Sequence, residues 1–150
     1  MSDFRVTVAT VVAHEGRFLM VEERDKRSLQ MVFNQPAGHL EVGETIIEGA
    51  IRETLEETGF VVAPNGVVSI GLYRPENRPD TYCRITLSAV LRTHGSNPEL
   101  DPDIHQVLWM SREQIEANSA KLRSPMVLDS IERYQRGQIY PLTMLAHYES

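Results

Sequence analysis

Residues 38–60 read GHLEVGETIIEGAIRETLEETGF, and the fold and chemistry of the chain turn on them. Glu53, Glu56 and Glu57 stand at i, i+3 and i+4. At about 100° per residue this spacing sets them on one side of a helix, with Cβ atoms about 6 Å apart. Like charges that close destabilise an isolated helix. A divalent cation reverses the sign of the interaction, so the spacing points to a metal site. The helix has marked ends: Thr45 with Glu48 forms a capping box, and Gly59 supplies a left-handed residue after the last turn. Ile47, Ile51, Thr54, Leu55 and Thr58 fall on the arc roughly opposite the three acids and are expected to face the core, with Thr54 its weakest apolar member.

Outward from this helix the pattern changes period. RVTVATVV (5–12) is rich in β-branched residues and RFLMVEE (17–23) follows a Glu15-Gly16 turn, so the two read as a hairpin. The polar, basic run RDKRSLQM (24–31) reads as an exposed loop, placed where it could meet phosphate. VFNQPAGHLE (32–41) is a short strand broken at Pro36 and Gly38. Downstream, VVSIGLY (67–73), YCRITLSAVLR (82–92) and QVLWM (106–110) read as strands, joined by the two-proline linker 74–80 and a long polar loop, 94–102. Ser111 with Gln114 caps another helix. Ser124-Pro125 opens the last, which ends before Gly137 and turns Met126, Val127, Ile131 and Tyr134 to the core. The tail from Ile139 has no clear period. Strands before and after one acidic helix, with further helices at the end, predict an α/β fold: a mixed β-sheet covered on both faces, with 1–150 as one domain.

The bulk numbers exclude several classes. A net charge of −6 with no basic run longer than two residues argues against a nucleic-acid binder or a membrane-surface protein. One cysteine, Cys83, leaves no internal disulfide and no cysteine-built zinc site, and fits a reducing, cytoplasmic setting. No apolar run approaches a membrane span, and MSDFRVTV lacks the basic start and apolar core of a signal peptide. A monomer is the expectation, with a dimer left open.

Gly38, Glu44, Arg52, Glu53, Glu56, Glu57 and Gly59 follow the pattern G-x5-E-x7-R-E-U-x-E-E-x-G-U, where U is a bulky aliphatic. In this the chain resembles the Nudix hydrolases. Thr54 departs from the usual aliphatic residue, and Phe60 is a milder change. The resemblance implies a Nudix-type α/β/α sandwich and hydrolysis of phosphoanhydrides dependent on Mg²⁺, with Mn²⁺ able to substitute. It makes Glu53, Glu56 and Glu57 metal ligands, adds a backbone carbonyl near Ala37 or Gly38, and lets Glu53 orient or deprotonate the attacking water. Arg52 and Glu44 become an ion pair that braces the helix. The runs NQPAGHLE (34–41) and LRSP (122–125), with Tyr140-Pro141-Leu142, resemble one phosphatase branch of the family. That branch implies thiamine diphosphate, hydroxymethylpyrimidine diphosphate and nucleoside di- and triphosphates as substrates, with release of orthophosphate. A nucleoside triphosphate pyrophosphohydrolase and a non-catalytic nucleotide sensor are the alternatives. The sensor ranks lower because the carboxylates are all kept.

Glu99, Asp101 and Asp103 are the loop acids available as an extra ligand, with Asp103 favoured. His39 beside the box is weighed as a substrate contact. Phe33, Tyr73, Tyr82 and Trp109 are weighed as walls for a flat ring, each against a place in the core. Arg74 and Arg78 are weighed as phosphate contacts against plain solvent exposure. His105 needs no function, and Cys83 reads as an inert buried thiol.

Overall fold

The computed structural model describes residues 2–93 and 99–150; the 94–98 part of the expected polar loop lies outside them. Strands β1 (Phe4–His14) and β2 (Arg17–Arg24) form a hairpin whose two turn residues, Glu15 and Gly16, both have positive φ, the turn that matches strand twist. There follow β3 (Met31–Asn34), β4 (Ala37–His39), helix α1 (Ile46–Thr58), β5 (Val61–Tyr73), β6 (Thr81–Thr93), β7 (Ile104–Met110), α2 (Arg112–Ala117) and α3 (Pro125–Gln135). β5 starts six residues earlier than its hydrophobic pattern predicts. Its first half, VVAPNG, contains Pro64 and Gly66, and the ladder to β6 shifts register there.

The sheet is mixed. β1 runs parallel to β6 from Phe4↔Thr81 to Val12↔Ala89, and antiparallel to β4 through Thr7–Ala9. Its last two residues leave this group and pair with β2 at Ala13↔Phe18 and His14↔Arg17. β2 in turn carries β3 and β7. The sheet therefore divides along β1 into a β4-β1-β6-β5 group and a β3-β2-β7 group. Gln35 and Pro36 cross the division between β3 and β4, pinned by the Thr10 N–H donating to the Pro36 carbonyl at 3.1 Å.

Helices cover both faces. Val8, Val67, Ile85 and Leu87 pack against Ala50 of α1, while Val11, Phe18, Met20 and Phe33 pack against Ile115, Val127 and Ile131 of α2 and α3. This is the expected α/β fold with a mixed sheet between helices. In α3, Val127, Ser130 and Ile131 are the buried positions. Met126 is only half-buried. The tail gains a place through Tyr140, which exchanges two backbone hydrogen bonds with Val67 at the edge of β5, and through Leu142 and Leu145 beneath it. Cys83 is half-buried on β6, not fully buried as its strand setting suggests.

Candidate active site

Helix α1 begins at the predicted cap. The Glu48 N–H donates to Thr45 Oγ1 at 3.1 Å, and the Thr45 N–H donates to Glu48 Oε1 at 2.8 Å. It ends at Gly59, whose φ of 78° is left-handed. The division of its surface into a core side and an acid side needs correction. The buried positions are Gly49, Ala50, Thr54, Glu57 and Thr58; Ile47 is half-buried against the same core, and Ile51 and Leu55 are half-buried. Glu57, only 5% exposed, lies on the sheet side beside Ala50 and Thr54, since residues 50, 54 and 57 are successive turns of one stripe.

The three box carboxylates consequently stand in different surroundings. Glu56 is half-exposed at 51% of its side chain, Glu53 keeps 13%, and Glu57 is buried. The Ala37 N–H donates to Glu57 Oε1 at 2.9 Å. Gly38 sits against Glu53 so tightly that a Cβ there would lie 2.1 Å from the Glu53 carboxyl carbon, so any larger residue must push that carboxylate aside. Arg52 binds Glu44 with both Nε (2.9 Å) and Nη2 (2.7 Å), donates from Nη2 to the His39 carbonyl, and reaches Glu53 and Glu56 from Nη1 at 2.8 and 3.1 Å. The guanidinium thus ties the loop before α1 to the helix and to two of the acids. That pairing with Arg52 holds the Glu44 carboxyl below its ordinary range.

Two further acids join the cluster. The Asp101 N–H donates to the Glu56 carbonyl at 3.0 Å, which brings its carboxylate close enough to raise the pKa values of Glu53, Glu57 and Glu23. Asp103 lies elsewhere: it pairs with Lys26 at 3.3 Å and lines a separate depression with Arg24, Met31 and His105. Asp101 therefore replaces Asp103 as the loop acid nearest the box, and Glu99 is exposed. Glu23, at the end of β2, was not marked by any spacing in the sequence. It stands on β2 between Val32 of β3 and Ile104 of β7, positions that no spacing in the sequence links to the box. Burial is the main cause that raises the pKa of each of Glu23, Glu53 and Glu57, with neighbouring acids adding to it, and Glu57 is raised the most strongly.

An all-oxygen donor set of desolvated carboxylates suits a hard divalent cation. Each of Glu53, Glu56 and Glu57 turns one oxygen to a protein donor and has a second oxygen to offer. As the side chains stand, no three acidic or imidazole groups among the described residues converge at ligand distance; Glu53 and Glu56 are drawn toward Arg52, and ligation asks them to turn from it. The β1–β4 ladder bonds Leu40 to Val6 and Pro36 to Thr10, so alternation places Gly38 in the ladder and turns the Ala37 peptide outward toward Glu57. Of the two backbone carbonyls expected, Ala37 is the one facing the acids.

Beside the cluster runs a cleft of about 460 Å³ lined by Arg5, Lys26, Arg27, Arg78 and Arg123, with Asp3, Asp25, Asp80, His39, Pro79 and Tyr82. The basic loop 24–31 and His39 do reach it. Arg123 joins cleft to cluster, with Nη1 3.8 Å from Glu23 Oε2 and Nη2 4.0 Å from Asp25 Oδ1. Tyr82 takes a 2.6 Å hydrogen bond from Arg78, whose guanidinium also lies 5.5 Å from the ring centre. The other aromatic candidates do not line the cleft. Phe33 is core, Trp109 packs between Phe60 and His14, and Tyr73 pairs with Tyr82 across the β5–β6 ladder. Arg74 is exposed away from the cleft, and His105 stands 3.9 Å from Glu22.

A divided mixed sheet between helices, with an acidic helix at the division and a cleft of mostly basic lining beside it, is the arrangement that the box led us to expect of a Nudix hydrolase. The NUDIX domain model matches residues 3–129, and the chain belongs to that family. Within it, the chain is 40% identical over 144 residues to Phosphatase NudJ of Escherichia coli (strain K12), covering 95% of this chain and 91% of the relative. A NUDIX hydrolase from Nitrosomonas europaea superposes with a TM-score of 0.92 at 38% identity, over 97% of this chain and 98% of that one. The MutT protein from Methanosarcina mazei Go1 shares the fold at a TM-score of 0.71 and 22% identity, over 90% of this chain and 95% of that one.

Proposed function

We propose that this chain is a Mg²⁺-dependent phosphatase of small organic diphosphates and triphosphates that releases orthophosphate. Thiamine diphosphate, hydroxymethylpyrimidine diphosphate and nucleoside di- and triphosphates are its substrate candidates. The observation that carries this reading is the juxtaposition of the desolvated acids Glu53 and Glu57 with a cleft in which five cationic side chains outnumber three acidic ones. Phosphate needs the second and is repelled by the first unless a cation intervenes. Similarity to Phosphatase NudJ supports the choice of released product.

Glu53, Glu56 and Glu57, with the Ala37 carbonyl, would hold the ion, and Asp101 stands as the additional acid. When bound, Mg²⁺ supplies charge neutralisation and a lowered pKa for coordinated water. The residues of the chain do the rest. Arg52 and Glu44 orient the helix carboxylates. Glu53, desolvated against Gly38, accepts the proton of the attacking water. Arg123 and the basic loop orient the phosphate chain and compensate charge on the departing group. We further propose that residues 1–150 act as one domain, monomeric, in a reducing compartment such as the cytoplasm and without nucleic-acid or membrane partners. No helix among the described residues is long and apolar enough to cross a membrane.

A panel of thiamine diphosphate, nucleoside di- and triphosphates and ADP-ribose, assayed with Mg²⁺ and with EDTA, tests the reading. Orthophosphate as the metal-dependent product supports it. Pyrophosphate and a monophosphate would instead mark a pyrophosphohydrolase, and no turnover of any substrate would overturn hydrolysis itself.

A further inference from the structure

Tyr82 lines the basic cleft from β6, and its hydroxyl is held in one direction only. Arg78 Nη2 spends its two hydrogens on Asp80 Oδ2 at 2.8 Å and on the Tyr82 hydroxyl oxygen at 2.6 Å. Arg78 is itself anchored. Asp80 is only 6% exposed, takes the Asp3 N–H on its other oxygen at 3.1 Å, and has Arg27 Nη2 3.6 Å from Oδ2. A guanidinium can only donate, so the Tyr82 oxygen accepts and its own proton points elsewhere. Among the described residues no side chain or carbonyl accepts that proton. The cleft therefore holds an oriented phenolic donor whose acceptor comes from outside the chain. Water takes it in the free protein, and a ligand that displaces this water must replace its bond.

Position in the sheet decides which part of a ligand supplies that acceptor. Tyr82 stands beside Arg5, and His39 beside Thr7, on the two strands that flank β1. One strand spacing to either side and two residues along β1 set the two backbones about 12 Å apart on one face of the sheet. His39 marks the acid end of the cleft. Its neighbour Gly38 lies against the Glu53 carboxylate, and its carbonyl accepts from Arg52 Nη2 at 3.0 Å. A diphosphate that meets the box acids at the His39 end spans only part of that distance, so the organic group it carries extends toward Tyr82.

We propose that Tyr82 is a specificity-determining residue whose hydroxyl, oriented by Arg78, donates to an acceptor on the organic group of the substrate: a ring nitrogen, a carbonyl or a sugar oxygen. This contact favours nucleoside and heterocyclic diphosphates over those whose organic group offers no acceptor or is missing. The inference rests on the reading of the chain as a hydrolase of organic diphosphates and adds to it the residue that reads the organic end.

The test is calorimetric binding, with Mg²⁺, of two non-hydrolysable probes to the full chain: α,β-methylene-ADP, and methylenediphosphonate, which has the same phosphorus groups and no nucleoside. Tyr82→Phe keeps the ring and leaves Arg78 its bond to Asp80, and thermal unfolding run in parallel checks that the fold is kept. The variant should weaken α,β-methylene-ADP about tenfold, the scale of one hydrogen bond, and leave methylenediphosphonate unchanged. In turnover of ADP its KM should rise by a similar factor with kcat held, because the contact is remote from the reacting phosphorus. Equal weakening of both probes would place Tyr82 on phosphate, and an unchanged Kd for α,β-methylene-ADP would remove it from the site; either result overturns the proposal. So does a wild-type chain that binds neither probe. A wild-type chain that binds α,β-methylene-ADP but hydrolyses no diphosphate overturns the hydrolase reading alone, and the two Kd values still decide the role of Tyr82.

Discussion

Thr10 on β1 and Thr54 on α1 meet hydroxyl to hydroxyl, with their Oγ1 atoms 2.8 Å apart and both residues fully buried. Thr54 Oγ1 also donates to the Ala50 carbonyl at 2.8 Å. The position where the family pattern has an aliphatic residue thus carries a polar group with its own partner across the interface. A buried hydroxyl is costly only when left unpaired. Thr54→Val should therefore cost about 1–2 kcal/mol by stranding Thr10, and Thr10→Val a similar amount. The double Val variant should lose less than the sum. A denaturant cycle in urea reads the coupling, and strict additivity would show that the pair does not interact.

Glu57→Gln keeps the shape and the acceptor for the Ala37 N–H while removing a charge that burial disfavours. Its folding stability without metal should equal or exceed that of the wild type. Hydrolysis should fall by at least about a hundredfold, the scale expected when a charge serving the transition state is lost. Near-normal turnover would remove Glu57 from the active site.

Stability of the metal-stripped protein should rise as pH falls from 7 toward 5. Glu23, Glu53 and Glu57 have folded pKa values above the ordinary 4.5, so the fold binds protons that the unfolded chain does not. The stabilisation they offer is full below the unfolded value and is lost as pH climbs through the raised ones. The lowered acids Asp25, Glu44 and Asp80 stay ionised across this window and act only below it. His39, its pKa lowered chiefly by desolvation, opposes the trend as a single group against three. Urea midpoints in EDTA at pH 5, 6 and 7 measure the slope, which saturating Mg²⁺ should reverse. A midpoint that falls with acidification would contradict the burial of these acids.

Gly38→Ala places a methyl group on the Glu53 carboxyl, 2.1 Å from its carbon. Glu53 must move, so activity should drop at least tenfold even though alanine is a mild change in a strand. A circular dichroism spectrum like that of the wild type would show that the loss is local.

Asp101→Asn should shift the Mg²⁺ concentration needed for half-maximal rate upward, and Asp103→Asn should leave it unchanged. The Asp101 backbone is bonded to the end of α1, whereas Asp103 faces Lys26. The opposite ranking would return Asp103 to the site.

Local signals carried much of this protein. The capping boxes at Thr45 and Ser111, Pro125 at the start of α3 and the left-handed Gly59 and Gly137 all depend on neighbours within a few residues, and each is where its spacing placed it. The box from Gly38 to Phe60 likewise identified the family and the acids that share one helix, because i, i+3 and i+4 are adjacent whatever surrounds them. Burial is not a local property. Helical periodicity puts Glu57 with Glu53 but cannot say that the sheet lies against it; the hydrophobic count set Ile47, Thr54 and Thr58 toward the core, where they lie, but left Glu57 outside it. Glu23, Asp101 and Arg123 come to this region from β2, the loop after β6 and the turn before α3. Only the division of the sheet along β1 brings those segments together, and contacts at such separations are set by chain topology, not by any spacing within the sequence.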